Sequence, residues 1–463
     1  MAHTRQTWTG DVVSLVDAYR AGDHSPVAEV EATLAAIEAS ELNAWSFVDA
    51  EGALERAAAV DVSLPLGGVP IGVKELDQVE GWPDTAASLV FADRIATHDR
   101  TSIARLKAAG AILVGLTTAS EFGGLNVGNT KLNGITGNPW NPEATTGGSS
   151  AGSAAAVAGA MVPIATGGDG GGSIRIPAGF CGLLGMKGTA GRIPRGPHTA
   201  IAPMTVVSGC LARSVRDAAR YYDVCAGFDA TDPYSLPREA LGWEEGLGST
   251  DLKGKRAVIA PTLGSAVVAP AVVERIIEAG MQLVADAGLH LVDVDVNLPP
   301  IDWEWAVANQ VSLCNELGDR WPDCEPLMTK AMAHGIKLGL ERFDMRTAAR
   351  VEATRTAANE RMAALFSQVD VVICASNPDV AFPAWVEVNT RVAGEKVPAG
   401  NNGALTIPAN ISGNPAVSVP VGLVDGLPVG MQLMARQHED RMLFDLARVV
   451  EQTTPWPLVA PPS

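Results

Sequence analysis

Ser149 and Ser173 lie 24 positions apart, each on a glycine-rich turn. The first turn reads Gly-Gly-Ser-Ser-Ala-Gly-Ser from 147 to 153, and the second Gly-Gly-Asp-Gly-Gly-Gly-Ser-Ile-Arg-Ile-Pro from 167 to 177. Five of the six residues before Ser173 are glycine, so a ligand can approach that backbone closely. The N–H groups of Gly170, Gly171, Gly172 and Ser173 are therefore candidates for an oxyanion-binding nest. Ser173 is the candidate nucleophile, and a serine hydroxyl needs a base near neutral pH. No histidine stands near either turn. Lys74 closes the apolar run Val69-Pro-Ile-Gly-Val73, and a desolvated lysine has a lowered pKa and can accept a proton. Asp169 and Arg175 flank the second turn and are expected to pair beneath it.

These two turns, their spacing and the Ser-Ile-Arg-Ile-Pro tail resemble the amidase signature family of serine hydrolases. Gly72-Val-Lys-Glu75 resembles that family's lysine motif. Ser120-Glu-Phe122 with Asn138-Pro-Trp140 resembles its substrate-loop segment, and Leu427 to Leu433 its closing strand. The resemblance implies a Ser–Ser–Lys triad of Ser173, Ser149 and Lys74, with Ser149 on a cis peptide bond and relaying a proton to the lysine. It implies an acyl-enzyme on Ser173, hydrolysis of linear amides without cofactor or metal, and Gly123 beside the reacting carbonyl. Two positions depart from the family pattern. Gly170 stands where threonine is common, and Leu76 where a polar residue is usual.

The positioning elements follow from periodicity and punctuation. Residues 11–21 and 26–40 read as helices, the second with Ser25 as N-cap and Pro26 in its first turn. This pair reads as a cover or an interface, and a homodimer is left open. Strands are expected at 69–73, 111–116, 161–166, 256–260, 290–296, 370–375, 416–421 and 429–434, with helices at 101–109, 214–226, 270–287 and 440–452. Three helices are expected between Trp303 and Phe366. The pattern is α/β, and the resemblance implies a single domain over 1–463 with one mixed central sheet covered by helices on both faces. Within it, 1–60 supplies N-terminal helices, 65–300 the catalytic core, 303–400 the pocket region and 403–463 the closing strands and helix.

Composition narrows the alternatives. With 47% hydrophobic residues a large core is affordable, and a formal charge of −18 without an extended basic patch argues against nucleic acid. No apolar run is long enough for a membrane span, and the N-terminal Met-Ala-His-Thr-Arg-Gln-Thr-Trp has no leader-like apolar region. Six scattered cysteines without a Cys-x-x-Cys pair read as free thiols in a reducing cytoplasm, and seven dispersed histidines offer no metal cluster. Gly148-Ser-Ser-Ala-Gly152 also fits a nucleophile elbow with Ser150 as nucleophile, which would require His290, His334 or His438 as base. Otherwise Ser150 and Ser153 read as packing and helix-capping residues. The glutamine-hydrolysing component of a tRNA-dependent amidotransferase complex is a further reading within the same family.

The expected substrate is a small, partly apolar amide, carbamate (urethane) or ester. Its walls are expected from the 303–366 helices and the 377–402 loop, with Gly123-Gly124 leaving room for a bulky amine-side group. Arg342, Arg346 and Arg350 read as one solvated helical face rather than a carboxylate clamp.

Overall fold

The computed structural model describes residues 6–200 and 202–461. Met1 to Arg5, on which the expectation about a leader in part falls, Ile201 and the last two residues of the closing segment lie outside them.

One mixed sheet of 11 strands forms the centre. Its strands are β1 (Trp45–Val48), β2 (Pro70–Lys74), β3 (Ile112–Thr117), β4 (Ile164–Asp169), β5 (Leu184–Lys187), β6 (Val207–Ala212), β7 (Arg256–Ile259), β8 (His290–Leu291), β9 (Val371–Ala375), β10 (Ala416–Val424) and β11 (Leu427–Ala435). In space they run β1-β3-β2-β4-β6-β5-β10-β11-β9-β7-β8. β2 pairs parallel with both β3 and β4, so the C-terminal ends of β2 and β4 emerge side by side. β4 is antiparallel to β6 on its other side. Every residue of β2, β3, β6 and β9 is buried, as strands covered on both faces require.

Helices α1 (Val12–Ala21) and α2 (Pro26–Ala39) have side-chain N-caps from Asp11 and Ser25. They are followed by α3 (Ala50–Ala59), α4 (Thr101–Ala108) and α5 (Ala151–Ala158). All eight residues of α5 are buried. Its small side chains let it press on the sheet: a Cβ at Gly152 would lie 2.2 Å from the Ala44 carbonyl oxygen. After α6 (Arg175–Cys181) come α7 (Val215–Cys225) and α8 (Pro270–Asp286). The three expected later helices are α9 (Asp302–Leu317), α10 (Lys330–Arg342) and α11 (Met345–Gln368). α12 (Ile407–Ile411) and α13 (Asp440–Thr453) complete the chain. Among the described residues no helix is long and apolar enough to cross a membrane.

Three expectations shift. The strand read at 161–166 begins at Ile164, after Pro163, and continues through Gly167 and Gly168 because β6 pairs with all six of its residues. The strand read at 290–296 is reduced to His290–Leu291. It is an edge strand that meets β7 only at Arg256 and Ala257, and Asp293, Asp295 and a proline pair follow. Arg342 does not share a helix with Arg346 and Arg350, because Phe343 and Asp344 separate α10 from α11, where Asp344 is the N-cap. All three arginines are exposed.

Candidate active site

β2 carries Lys74 into the interior, where the side chain is 2% exposed. Its backbone N–H donates to Thr166 Oγ1 at 2.9 Å, and that hydroxyl donates to Asp77 Oδ2 at 2.8 Å. Asp77 is held in turn by Arg100 at 2.6 Å. Lys74 Nζ lies 2.7 Å from Ser149 Oγ and 3.1 Å from the Gly168 carbonyl. Burial pulls its pKa down to about 8, against the opposing pull of Asp77 and Asp169. A neutral amine can donate to Gly168 and still accept a proton from the Ser149 hydroxyl.

The Gly148–Ser149 peptide bond is cis. A Cβ at Gly148 would lie 2.5 Å from Ser120 Oγ and 2.6 Å from Val127 N, so only glycine fits there. Ser120 Oγ donates to the carbonyls of Leu125 and Val127, which fixes the loop carrying Gly123. A Cβ at Gly123 would lie 3.5 Å from Ser149 Oγ and 3.1 Å from Leu76 Cδ1. Leu76, which replaces the usual polar residue, thus packs against this loop.

The second turn is shaped by Asp169. Its Oδ1 accepts from the Gly172 N–H at 2.8 Å, and its Oδ2 from the Ile174 N–H at 3.2 Å. Arg175 donates Nε to Oδ2 at 2.9 Å and Nη2 to Oδ1 at 2.8 Å. Burial alone would raise the Asp169 pKa, but the guanidinium holds it far below the usual carboxylate range. Asn410 of α12 and Gln432 of β11 complete the cage, bonding Asp169 at 2.9 Å and Arg175 at 2.6 Å respectively. The Ser150 N–H donates to the Ser173 carbonyl at 3.2 Å, which ties the two turns together.

The Gly172 N–H, one of the four nest candidates, is therefore already engaged. Among the described residues no protein acceptor meets the N–H groups of Gly170, Gly171 or Ser173. Trp305 of α9 donates Nε1–H to the Gly170 carbonyl at 2.6 Å. The peptide unit is planar, so this bond also orients the Gly171 N–H on its far side. Thr406 does the same for the next unit, donating to the Gly171 carbonyl at 2.6 Å. At Gly170 a Cβ would sit 3.0 Å from Val206, the neighbour that occupies the side where a threonine would project.

Ser173 is half-buried and faces a cavity of about 210 Å³ together with Gly123, Gly171, Trp305 and Ile407. No hydrogen bond joins its hydroxyl to that of Ser149 in this structure. Among the described residues neither lysine, arginine nor histidine lines the cavity. Of the three later helices only α9 contributes to the wall. Trp303 is turned outward against Phe343, and Met332 of α10 fills the space beside Gly124, where a Cβ would lie 2.5 Å from its sulfur. Gly123 and Gly124 both line the cavity, and Met332 occupies only the Cβ side of Gly124. Asn138 and Trp140 do not reach the cavity either. They bond the Phe180 and Cys181 carbonyls at 2.9 Å and hold the end of α6.

Ser150 precedes α5 without a side-chain capping bond, contrary to expectation, and Ser153 donates to the Thr166 carbonyl at 2.9 Å. No histidine bonds Ser150 among the described residues, and His290 sits on the far edge strand β8, so the elbow arrangement is not formed. Sequence reading missed Thr166, Thr406, Asn410 and Gln432, and it placed Trp305 only in the expected helical wall of 303–366. Thr166 alone had a local signal, as the hydroxyl residue preceding the second turn.

The Amidase family model matches residues 28–444. The chain belongs to the amidase family. As an amidase of this family it is a hydrolase acting on carbon–nitrogen bonds. It is 31% identical over 472 residues to the A component of the glutamyl-tRNA(Gln) amidotransferase of Roseiflexus sp. (strain RS-1), covering 95% of each chain. The corresponding component from Thermosynechococcus vestitus is 34% identical over 468 residues, covering 93% of each. Among solved structures, a bacterial aryl acylamidase of the amidase signature family superposes with a TM-score of 0.91 at 26% identity, covering 97% of each chain. A 6-aminohexanoate cyclic dimer hydrolase gives 0.87 at 26% identity, covering 98% of each.

Proposed function

We propose that this amidase hydrolyses small, partly apolar amides through an acyl-enzyme on Ser173. The observation that carries the reading is the 2.7 Å contact between the buried amine of Lys74 and Ser149 Oγ, beside a cavity that Ser173 faces. Lys74 takes the Ser149 proton as Ser149 takes that of Ser173, and the Ser173 oxygen attacks the amide carbon. The free N–H groups of Gly171 and Ser173 meet the developing oxyanion. Return of the proton to the nitrogen releases the amine, and water then releases the acid by the same route. Asp169 and Arg175 hold the turn in shape without meeting substrate.

The likeness to an aryl acylamidase supports aryl amides, with carbamates and esters as related carbonyls. The amidotransferase components are as broadly similar, and they support glutamine as the second reading. A panel of anilides, aryl carbamates, primary amides and glutamine, given to the purified protein alone, separates the two. Turnover of aryl substrates is expected; hydrolysis of glutamine alone would overturn the apolar-substrate reading. A fluorophosphonate is expected to label Ser173, and labelling of Ser150 in its place would overturn the assigned nucleophile.

A further inference from the structure

Among the described residues, the wall of the Ser173 cavity carries a single ionisable side chain, the carboxylate of Asp302. Asp302 opens α9, one helical turn before Trp305, and the two therefore share a face. Trp305 is anchored to Gly170 of the nucleophile turn, so the same bond directs Asp302 toward the cavity. Gly400 completes the placement: a Cβ there would lie 2.0 Å from Asp302 Oδ2. The carboxylate is half-buried, and among the described residues it has no hydrogen-bond or ion-pair partner. It does not cap its helix, where the N-cap position is Ile301 and no side-chain capping bond forms.

Away from the N–H groups of Gly171 and Ser173, no cationic side chain among the described residues lines this wall to receive an anion. Asn402 commits its amide to the carbonyls of Asn389 at 2.6 Å and Ala399 at 2.8 Å, and Asn126 donates to the Asn402 carbonyl at 3.4 Å. A carboxylate without a partner on a cavity wall gains from a charged donor and repels another carboxylate.

We propose that Asp302 determines specificity, selecting amides whose far end carries an ammonium or similar cationic donor and rejecting those that end in a carboxylate. The inference rests on the hydrolytic reading of Ser173 and names the substrate class for that site.

The test uses three- to six-carbon acyl anilides, each in neutral, ω-ammonium and ω-carboxylate form, with the full-length protein. At the chain length that reaches Asp302, kcat/KM should favour the ammonium form over the neutral one, with the carboxylate form slowest. Asp302→Asn should lower the ammonium-to-neutral ratio by about tenfold or more, as expected for a hydrogen bond to a charged group. Asp302→Lys should reverse the order of the two charged forms. An unchanged ratio in Asp302→Asn, or a wild-type preference for the carboxylate, would overturn the proposal. Calorimetric binding of the ω-ammonium anilides to Ser173→Ala, with and without Asp302→Asn, gives a readout free of turnover. Binding that depends on Asp302 without any anilide hydrolysis by the wild type would sink the aryl-amide reading of Ser173 while showing that the cavity still selects a cationic group through Asp302. Hydrolysis with ratios indifferent to Asp302 would do the opposite.

Discussion

Arg175 grips Asp169 through two parallel hydrogen bonds of 2.9 and 2.8 Å, with both side chains at 0% exposure. Breaking such a pair strands a charge in the interior, whereas an intact pair adds little net stability. Arg175→Met is therefore expected to cost about 3–5 kcal/mol. Urea unfolding followed by tryptophan fluorescence measures it. A midpoint within error of the wild type would show that Asn410 and the N–H groups of Gly172 and Ile174 hold Asp169 unaided.

If the proposed relay operates, Lys74 sets the pH dependence. Only its neutral form can accept a proton, and burial brings its pKa down to about 8. The logarithm of kcat/KM for a non-titrating anilide should rise with slope of about one as pH climbs toward 8, then level off. Asp77 opposes the shift by favouring the ammonium form, so Asp77→Asn should move the rising limb to lower pH. A limb that stays in place would disconnect the rate from the Lys74 amine. Lys74→Ala should lose several orders of magnitude, and the Lys74→Ala, Ser149→Ala pair little more, because residues acting as one relay fail together.

Trp305 offers a quieter perturbation. Trp305→Phe keeps an aromatic wall but removes the donor to the Gly170 carbonyl, and with it one restraint on the Gly171 N–H. The expected result is a kcat about three- to tenfold lower, the scale of one hydrogen bond, with KM and the unfolding midpoint little changed. A loss confined to KM would mean that the indole acts as a wall and not on the turn.

Much of this arrangement was legible in the chain because its signals are local. The glycines around Ser149 and Ser173 and the apolar run before Lys74 each declare their backbone by composition alone, and the sheet follows from runs such as Val371–Ala375. The support is not local. Thr406, Asn410 and Gln432 reach Gly171, Asp169 and Arg175 from more than 200 positions away, and no pattern around them announces it. β6 was passed over because Val-Ser-Gly-Cys-Leu-Ala lacks alternation, and it is a strand because β4 and β5 offer it ladders on both sides.

The parallel pairing of β2 with β4 brings the base and the nucleophile turn out at one end of the sheet, from residues 70–173. Much of the opposite wall of the cavity comes from α9 and from 388–407, stretches with no share in the triad. The two passages are stitched together at Trp305 and Thr406, which brace the nucleophile turn. A change in substrate range by mutation of the second passage is therefore free of a cost in rate only where it spares those two anchors.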